Sequence, residues 1–294
     1  FMDRADVIFG VGCSFTRIHY GADLFDDKIL VHITNDPNDI NKDYTTDQAV
    51  IGDAKLVLRQ IIDEVKATLE AQGREKADRP DFASEIKSVK EEWMKEWTPR
   101  LTSDTTPINP YRAINDLMKA VDRSNTIVVH DSGSPRDQMM PFYETISPRG
   151  FIGWGKSTQL GYSLGVAMGA KMAEPDKLAI AVIGDYGFGM VGMDIETAVR
   201  ENIPILTIIL NNSTMGIYTA NRFPTAHELY GTKTTGGDYV KMAESMGCYS
   251  ERVDNPSEII AAIQRCAEIT KTGQPALLEI VTDGTVQEMS YRGF

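Results

Sequence analysis

Asp185 and Asn212 stand 27 residues apart, and each follows an apolar run. Asp185 comes after residues 178–183 and Gly184, whereas Asn211 and Asn212 close the run 205–210. A carboxylate and an amide oxygen are hard donors, too few to hold a metal alone. Magnesium completes its octahedron with carbonyl, water and substrate phosphate oxygens. Gly187, Gly189 and Gly192 follow the aspartate at once. They are expected to leave backbone N–H groups open near a helix start, where a phosphate-like anion is favoured. The constellation suits a magnesium–diphosphate pair.

Two strands and a helix must position these groups. Residues 178–183 are apolar and stop at a Gly-Asp turn, the signature of a buried strand. A helix is expected over roughly 190–201, with Ile195, Ala198 and Val199 inward and Arg200 and Glu201 turned to water. Pro204 breaks it, and the β-branched and leucine run 205–210 reads as a parallel strand buried on both faces. In such a βαβ unit both strand tips lie on one sheet edge, where open α/β folds bind ligands. For Asp185 alone, an N-cap in an ordinary strand–turn–helix is the simpler reading. Its spacing to the paired asparagines favours a ligand site.

The pattern Gly-Asp-x-Gly, then about two dozen residues and Asn-Asn, with TAVRENIPI before the second strand, resembles the thiamine diphosphate motif of the acetolactate synthase family. The resemblance implies thiamine diphosphate and Mg2+ as cofactors. Asp185 and Asn212 would ligate the metal by side chain and Thr214 by its carbonyl. Gly184, Gly187, Gly216 and Ile217 would contact the cofactor, with Met215 and Tyr218 beside them. Tyr186 departs from the small residue usual after the aspartate; its N–H survives, so its ring must turn from the phosphates or form a pocket wall.

Residues 126–133 read as a further strand reaching the same edge, followed by a loop. The resemblance gives Ser132, Gly133 and Ser134 to the diphosphate. A His130-Asp131-Ser132 triad is rejected, because adjacent residues on a strand end point apart. Residues 153–173 place Ser163, Gly165, Ala167, Gly169 and Ala170 on a tightly packing helix. In the resembling family, Leu160 before that helix presses under the thiazolium and bends the cofactor, and the Thr158 carbonyl accepts from its aminopyrimidine. A core leucine is the bland alternative.

The chain has 294 residues, 42% of them hydrophobic, enough for one large or two ordinary domains. A net charge of −12 argues against nucleic acid or an acidic membrane surface as partner. No apolar run approaches the length of a membrane span, and no signal peptide is expected at Phe1. Cys13, Cys248 and Cys266 have no metal spacing and read as reduced, partly buried thiols of a cytoplasmic protein. The fold class is α/β, with doubly wound, mostly parallel sheets in two Rossmann-like domains.

Residues 1–70 resemble the later part of the family's central domain: strands at 5–13 and 28–34, and a helix at 53–66 striped by Leu56, Ile61, Ile62 and Val65. Gly12, Cys13 and Ser14 replace the Gly-Ala-Arg of flavin binders, so a scaffold role is expected. Residues 71–106 form a linker whose helix, 85–97, packs by Trp93 and Trp97. Residues 107–294 form the diphosphate-binding domain. Phe223 to Gly237 read as a polar loop suited to substrate. Helices are expected at 239–247 and 256–270 and a last strand at 276–281. The tail beyond Gly284 has no assigned role.

The resemblance further implies an activating glutamate on a pyrimidine-binding domain, a role given to no residue here. The expectation is a piece of an enzyme of roughly 550 residues, or one subunit of a split enzyme, paired with that domain or subunit. Active sites between subunits imply a homo-oligomer, a dimer or a tetramer. The expected reaction makes or breaks a bond next to a carbonyl of a 2-oxo acid. Alternatives are a 2-hydroxyacyl-CoA lyase or oxalyl-CoA decarboxylase acting on an acyl-CoA, and a non-catalytic remnant. A nicotinamide enzyme is disfavoured, because Gly10 and Gly12 lack the third glycine.

Overall fold

Apolar runs become two parallel sheets in the computed structural model, which describes residues 1–17, 27–75, 80–153, 155, 158–215, 223–230 and 235–286. The chain divides into two compact units, Phe1–Lys87 and Ser88–Ser290.

In the first unit, β1 (Val7–Val11), β2 (Ile29–Thr34) and β3 (Gln48–Ile51) lie side by side in that order, all parallel. The helix α1 (Ala54–Ala71) follows, capped by the Asp53 side chain accepting from Leu56 N. Ile8, Leu30 and Ile33 are buried. The expected stripe on α1 is corrected: Leu56, Ile62 and Val65 are exposed, and Val57 is the buried residue. Val57 closes against Gly52, at whose position a Cβ would come within 2.8 Å of Val57 Cγ2, whereas an apolar stripe by itself does not guarantee that anything covers it.

The helix α2 (Phe82–Leu101) carries Trp93, stacked on Phe142, and Trp97, edge-on to Tyr111. In the second unit α3 (Pro110–Ala120) precedes β4 (Thr126–His130), α4 (Ser134–Met139), β5 (Phe151–Ile152) and α5 (Tyr162–Ala173). Then come β6 (Leu178–Gly184), α6 (Asp185–Val191), α7 (Asp194–Arg200) and β7 (Leu206–Asn211). Last are α8 (Pro224–Tyr230), α9 (Tyr239–Ser245), β8 (Tyr249–Val253), α10 (Ile259–Lys271) and β9 (Ala276–Val281).

The strand order is β5-β4-β6-β7-β9-β8, every pairing parallel. Side chains alternate between two cores, as a strand's period of two requires. On β6, Ile180 and Val182 join Tyr111, Leu117 and Ile263 on one face. Ala181 and Ile183 join Leu164, Phe188 and Ile195 on the other. Each fully buried Ile or Leu contributes roughly 1.5–3 kcal/mol, so both faces fix the strands in place. The fold is thus α/β with helices on both sides of a parallel sheet.

Several local readings are corrected. The helix after β6 begins at Asp185 itself, and a second short helix covers most of 190–201. Within the expected loops lie α4 and α8. The strands β3, β5 and β8 were hidden because they are short or, like β8, alternate with charge at a sheet edge.

Candidate functional site

The chain leaves β4 for its neighbour β5 on one side and leaves β6 for β7 on the other. The direction reverses between β4 and β6, and an open α/β sheet binds ligands outside the carboxyl ends of strands at such a switch. Asp131 follows β4 and Asp185 follows β6. Gly184 pairs with Leu210, which brings the Asn-Asn tip of β7 beside Asp185.

Asp185 is buried. Its Oδ1 accepts from Tyr186 N at 2.9 Å, and its Oδ2 accepts from the Thr235 hydroxyl at 2.7 Å. Burial holds this carboxyl above the ordinary carboxylate range, against the opposite pull of the Thr235 hydroxyl and the Tyr186 and Ser213 amides. A buried carboxylate raised in this way gains from a nearby cation.

The β7 tip is folded by its own side chains. Asn211 Oδ1 accepts from Ser213 N at 2.9 Å and from its hydroxyl at 3.1 Å, while Asn211 Nδ2 donates to Glu279 Oε1 at 2.7 Å. Arg252 in turn donates from Nε to Glu279 Oε2 at 2.9 Å. Asn212 Oδ1 accepts from Thr214 N at 3.0 Å, leaving one lone pair of that oxygen. Among the described residues, the buried Thr214 hydroxyl oxygen has no hydrogen-bond partner.

At the β4 tip, the Ser132 hydroxyl donates to the Thr158 carbonyl at 2.9 Å, so that carbonyl already carries one bond. Gly133 has φ of 74°, and α4 starts at Ser134 without a side-chain cap. Leu160 is half-buried between Thr158, whose φ is 52°, and Gly161, whose φ is 84°. A side chain at Gly161 would be doubly penalised, since its Cβ would also lie 2.5 Å from Val191 Cγ1.

Asp131 has no exposed surface. Its Oδ1 accepts from Ser132 N at 2.9 Å and Gly161 N at 3.0 Å. Its Oδ2 accepts from Ser163 N at 2.9 Å and the Ser163 hydroxyl at 2.7 Å. In the sequence Asp131 stands only as part of the rejected triad and of the loop that the resemblance brings to the diphosphate; the signal that marks it is an aspartate directly after a wholly buried strand. Thr235 and Glu279 gave no such signal.

The structure therefore gathers Ser132, Gly133, Ser134, Thr158, Leu160, Gly184, Asp185, Tyr186, Gly187, Asn212 and Thr214 along the carboxyl edge of β4, β6 and β7. Gly216 and Ile217 lie outside the described residues. One expectation fails: the N–H of Gly192 donates to Phe188 O at 2.6 Å and is not open to an anion. Close packing explains this glycine, since a Cβ there would lie 2.8 Å from Phe188 O. Among the three cysteines, Cys248 and Cys266 are buried and Cys13 is exposed, not partly buried.

Among the described residues, no group of three or more His, Cys, Asp and Glu side chains is placed to hold a metal, and no helix is long and apolar enough to cross a membrane. One carboxylate, one amide oxygen and a backbone carbonyl nonetheless fit magnesium, provided that the ion arrives with phosphate oxygens and water. Among the described residues, the buried Thr214 hydroxyl beside that carbonyl has no hydrogen-bond partner.

Residues 131–280 match the family described as thiamine pyrophosphate enzyme, C-terminal TPP binding domain. Residues 1–61 match the central domain of thiamine pyrophosphate enzymes. A probable acetolactate synthase large subunit of Methanococcus aeolicus is 30% identical over 96% of this chain and 48% of its own length. The acetolactate synthase isozyme 3 large subunit of Escherichia coli K12 is 27% identical over 99% of this chain and 51% of its own. A glyoxylate carboligase of Escherichia coli O157:H7 is 24% identical over 95% of this chain and 48% of its own. The chain spans about half the length of these relatives.

Proposed function

Because this chain belongs to the thiamine pyrophosphate enzyme family, we propose that its β4–β6–β7 edge binds thiamine diphosphate with Mg2+ for acetolactate synthase-like chemistry on 2-oxo acids. Bound there, thiamine diphosphate supplies a nucleophilic carbon for making or breaking a carbon–carbon bond next to a carbonyl. Asp185 and Asn212 hold the metal by side chain and Thr214 by its carbonyl. Gly184, Gly187, Gly133 and Ser134 offer backbone N–H groups to the diphosphate, and Tyr186 and Ser132, whose amides are held by Asp185 and Asp131, line it. Leu160 supports the thiazolium ring from below, and the Thr158 carbonyl orients the aminopyrimidine.

The domain assignment belongs to the same reading: 1–70 as later central domain, 71–106 as linker and 107–294 as diphosphate-binding domain. The matches at 1–61 and 131–280 support it. A pyrimidine-binding domain or subunit would bring the activating carboxylic acid, and a homo-oligomer would complete the enzyme. Relatives named acetolactate synthase large subunit support the substrate class.

One observation carries the reading: the buried Asp185 carboxylate ends β6 directly beside the Asn-Asn tip of the paired strand β7. Titration calorimetry of the assembled enzyme tests it. Thiamine diphosphate should bind only with Mg2+, and Asp185→Ala should abolish that binding. Equal affinity in wild type and variant would remove the site.

A further inference from the structure

Asp131 lies where three turns of the edge meet. It binds Ser132 at its own strand tip and Gly161 and Ser163 at the start of α5, and it lies against the first turn of α6 at Gly187. A Cβ at Gly187 would stand 3.0 Å from Asp131 Oδ1. Among the described residues its four hydrogen-bond donors are three backbone amides and a hydroxyl, and none carries a charge. A buried carboxylate held only by neutral donors needs all of them aimed at it. The turn at 158–163 is thereby gripped on both sides of Leu160: Ser132 holds the Thr158 carbonyl, and Asp131 holds the Gly161 amide.

Resting on the reading of this edge as a thiamine diphosphate site, we infer that Asp131 is a positioning residue that sets the height of Leu160 against the cofactor. It touches no reacting atom and acts through the turn. Asparagine cannot replace it. Each carboxylate oxygen faces two donors, so either orientation of the amide sets an NH2 against donors.

The test uses the assembled holoenzyme with Asp131→Asn. At saturating cofactor, kcat should fall about tenfold or more, since a small misplacement of a supporting group costs that much. Thiamine diphosphate affinity should change by less than about threefold, because the metal and diphosphate contacts remain. Amide exchange over 158–163 should quicken about tenfold as the turn loosens. Unchanged kcat and exchange would overturn the inference, and so would a loss confined to cofactor affinity. Should Asp131→Asn fail to fold, Ser163→Ala decides. It removes one hydroxyl bond and leaves the amide; faster exchange over 158–163 with a partial loss of kcat supports the inference, and wild-type values overturn it. A wild-type enzyme that binds no thiamine diphosphate would instead end the reading of the site, while exchange in Asp131→Asn still reports the grip on the turn.

Discussion

The two sheets of this chain are built from similar runs of Val, Ile and Leu, yet they bury them differently. In β1, β2 and β3, Val7 is 46% exposed, Phe9 49%, Ile29 52% and Ile51 52%. In β6 and β7, Ile180, Ile183, Leu206 and Ile209 have no exposed surface. Parallel pairing is common to both, so pairing alone does not bury a strand; helices on each face do. All the candidate ligands stand on the doubly covered sheet. A strand tip fixed from two sides can hold a donor in place for a metal or an anion, whereas a half-covered strand cannot hold one so firmly.

That contrast can be broken most directly in the cores. Ile209→Ala in β7 should cost about 2–5 kcal/mol. Phe9→Ala in β1 should cost less than about 1 kcal/mol, because the ring is half in water already. Amide exchange read separately over β7 and β2 gives each sheet its own stability. Equal costs would mean that the exposed face of the smaller sheet is as tightly held as the larger sheet's interior.

Ion pairs sharpen the same contrast at a smaller scale. Glu279 is only 1% exposed and is shared by Arg252 and Asn211. Arg252→Met leaves that carboxylate short of a partner, at a cost of about 1–3 kcal/mol. It should also slacken the Asn211 tip, read as a higher Mg2+ requirement for cofactor binding. The Arg4–Glu85 pair of the first unit has side chains 65% and 35% exposed. Arg4→Met should therefore cost at most about 1 kcal/mol. Urea unfolding of both variants checks the ranking, and an Arg4 effect equal to that of Arg252 would reverse it.

The larger sheet was legible where its runs were unbroken. Residues 178–183 and 205–210 announce β6 and β7 because every position but Thr207 is apolar, and Gly184 and the asparagines punctuate their ends. β8 was not legible, since Tyr249, Ser250, Glu251 and Arg252 look like a surface turn. Its pairing with β9 and the Arg252–Glu279 contact make it a strand. That Asp185 and Asn212 stand at neighbouring strand tips could be read from spacing, because both lie within one βαβ unit. Asp131, Ser163 and Thr235 could not, because their partners are distant in sequence: Ser163 lies 32 residues from Asp131, and Thr235 50 from Asp185. Only folding brings such groups within hydrogen-bonding reach. The stripe on α1 failed for the opposite reason, since periodicity shows that a face is apolar but not that anything covers it.

His130 supplies the finest test of how tightly the doubly covered sheet holds its tips. The ring ends β4, is 3% exposed, and its Nδ1 lies 3.0 Å from the Asp131 carbonyl. Burial lowers its pKa below the ordinary 6.5, and the Arg136 charge adds to this; the Asp131 carbonyl and the Asp131 and Asp137 charges oppose it. A lowered histidine pKa means that the folded chain binds fewer protons than the unfolded chain once the pH falls below about 6.5. Stability should therefore drop as the medium is acidified from that value toward the lowered one, by at most about 1.4 kcal/mol per pH unit. It should level off once the folded ring also protonates. His130→Phe keeps an aromatic ring against Phe151, 5.2 Å away between centroids, and should remove this part of the profile. Urea midpoints of the two proteins between about pH 5 and 7 give the comparison. Parallel profiles would show that the tip of β4 opens enough for water to reach the ring, and with it the carboxylate beside it.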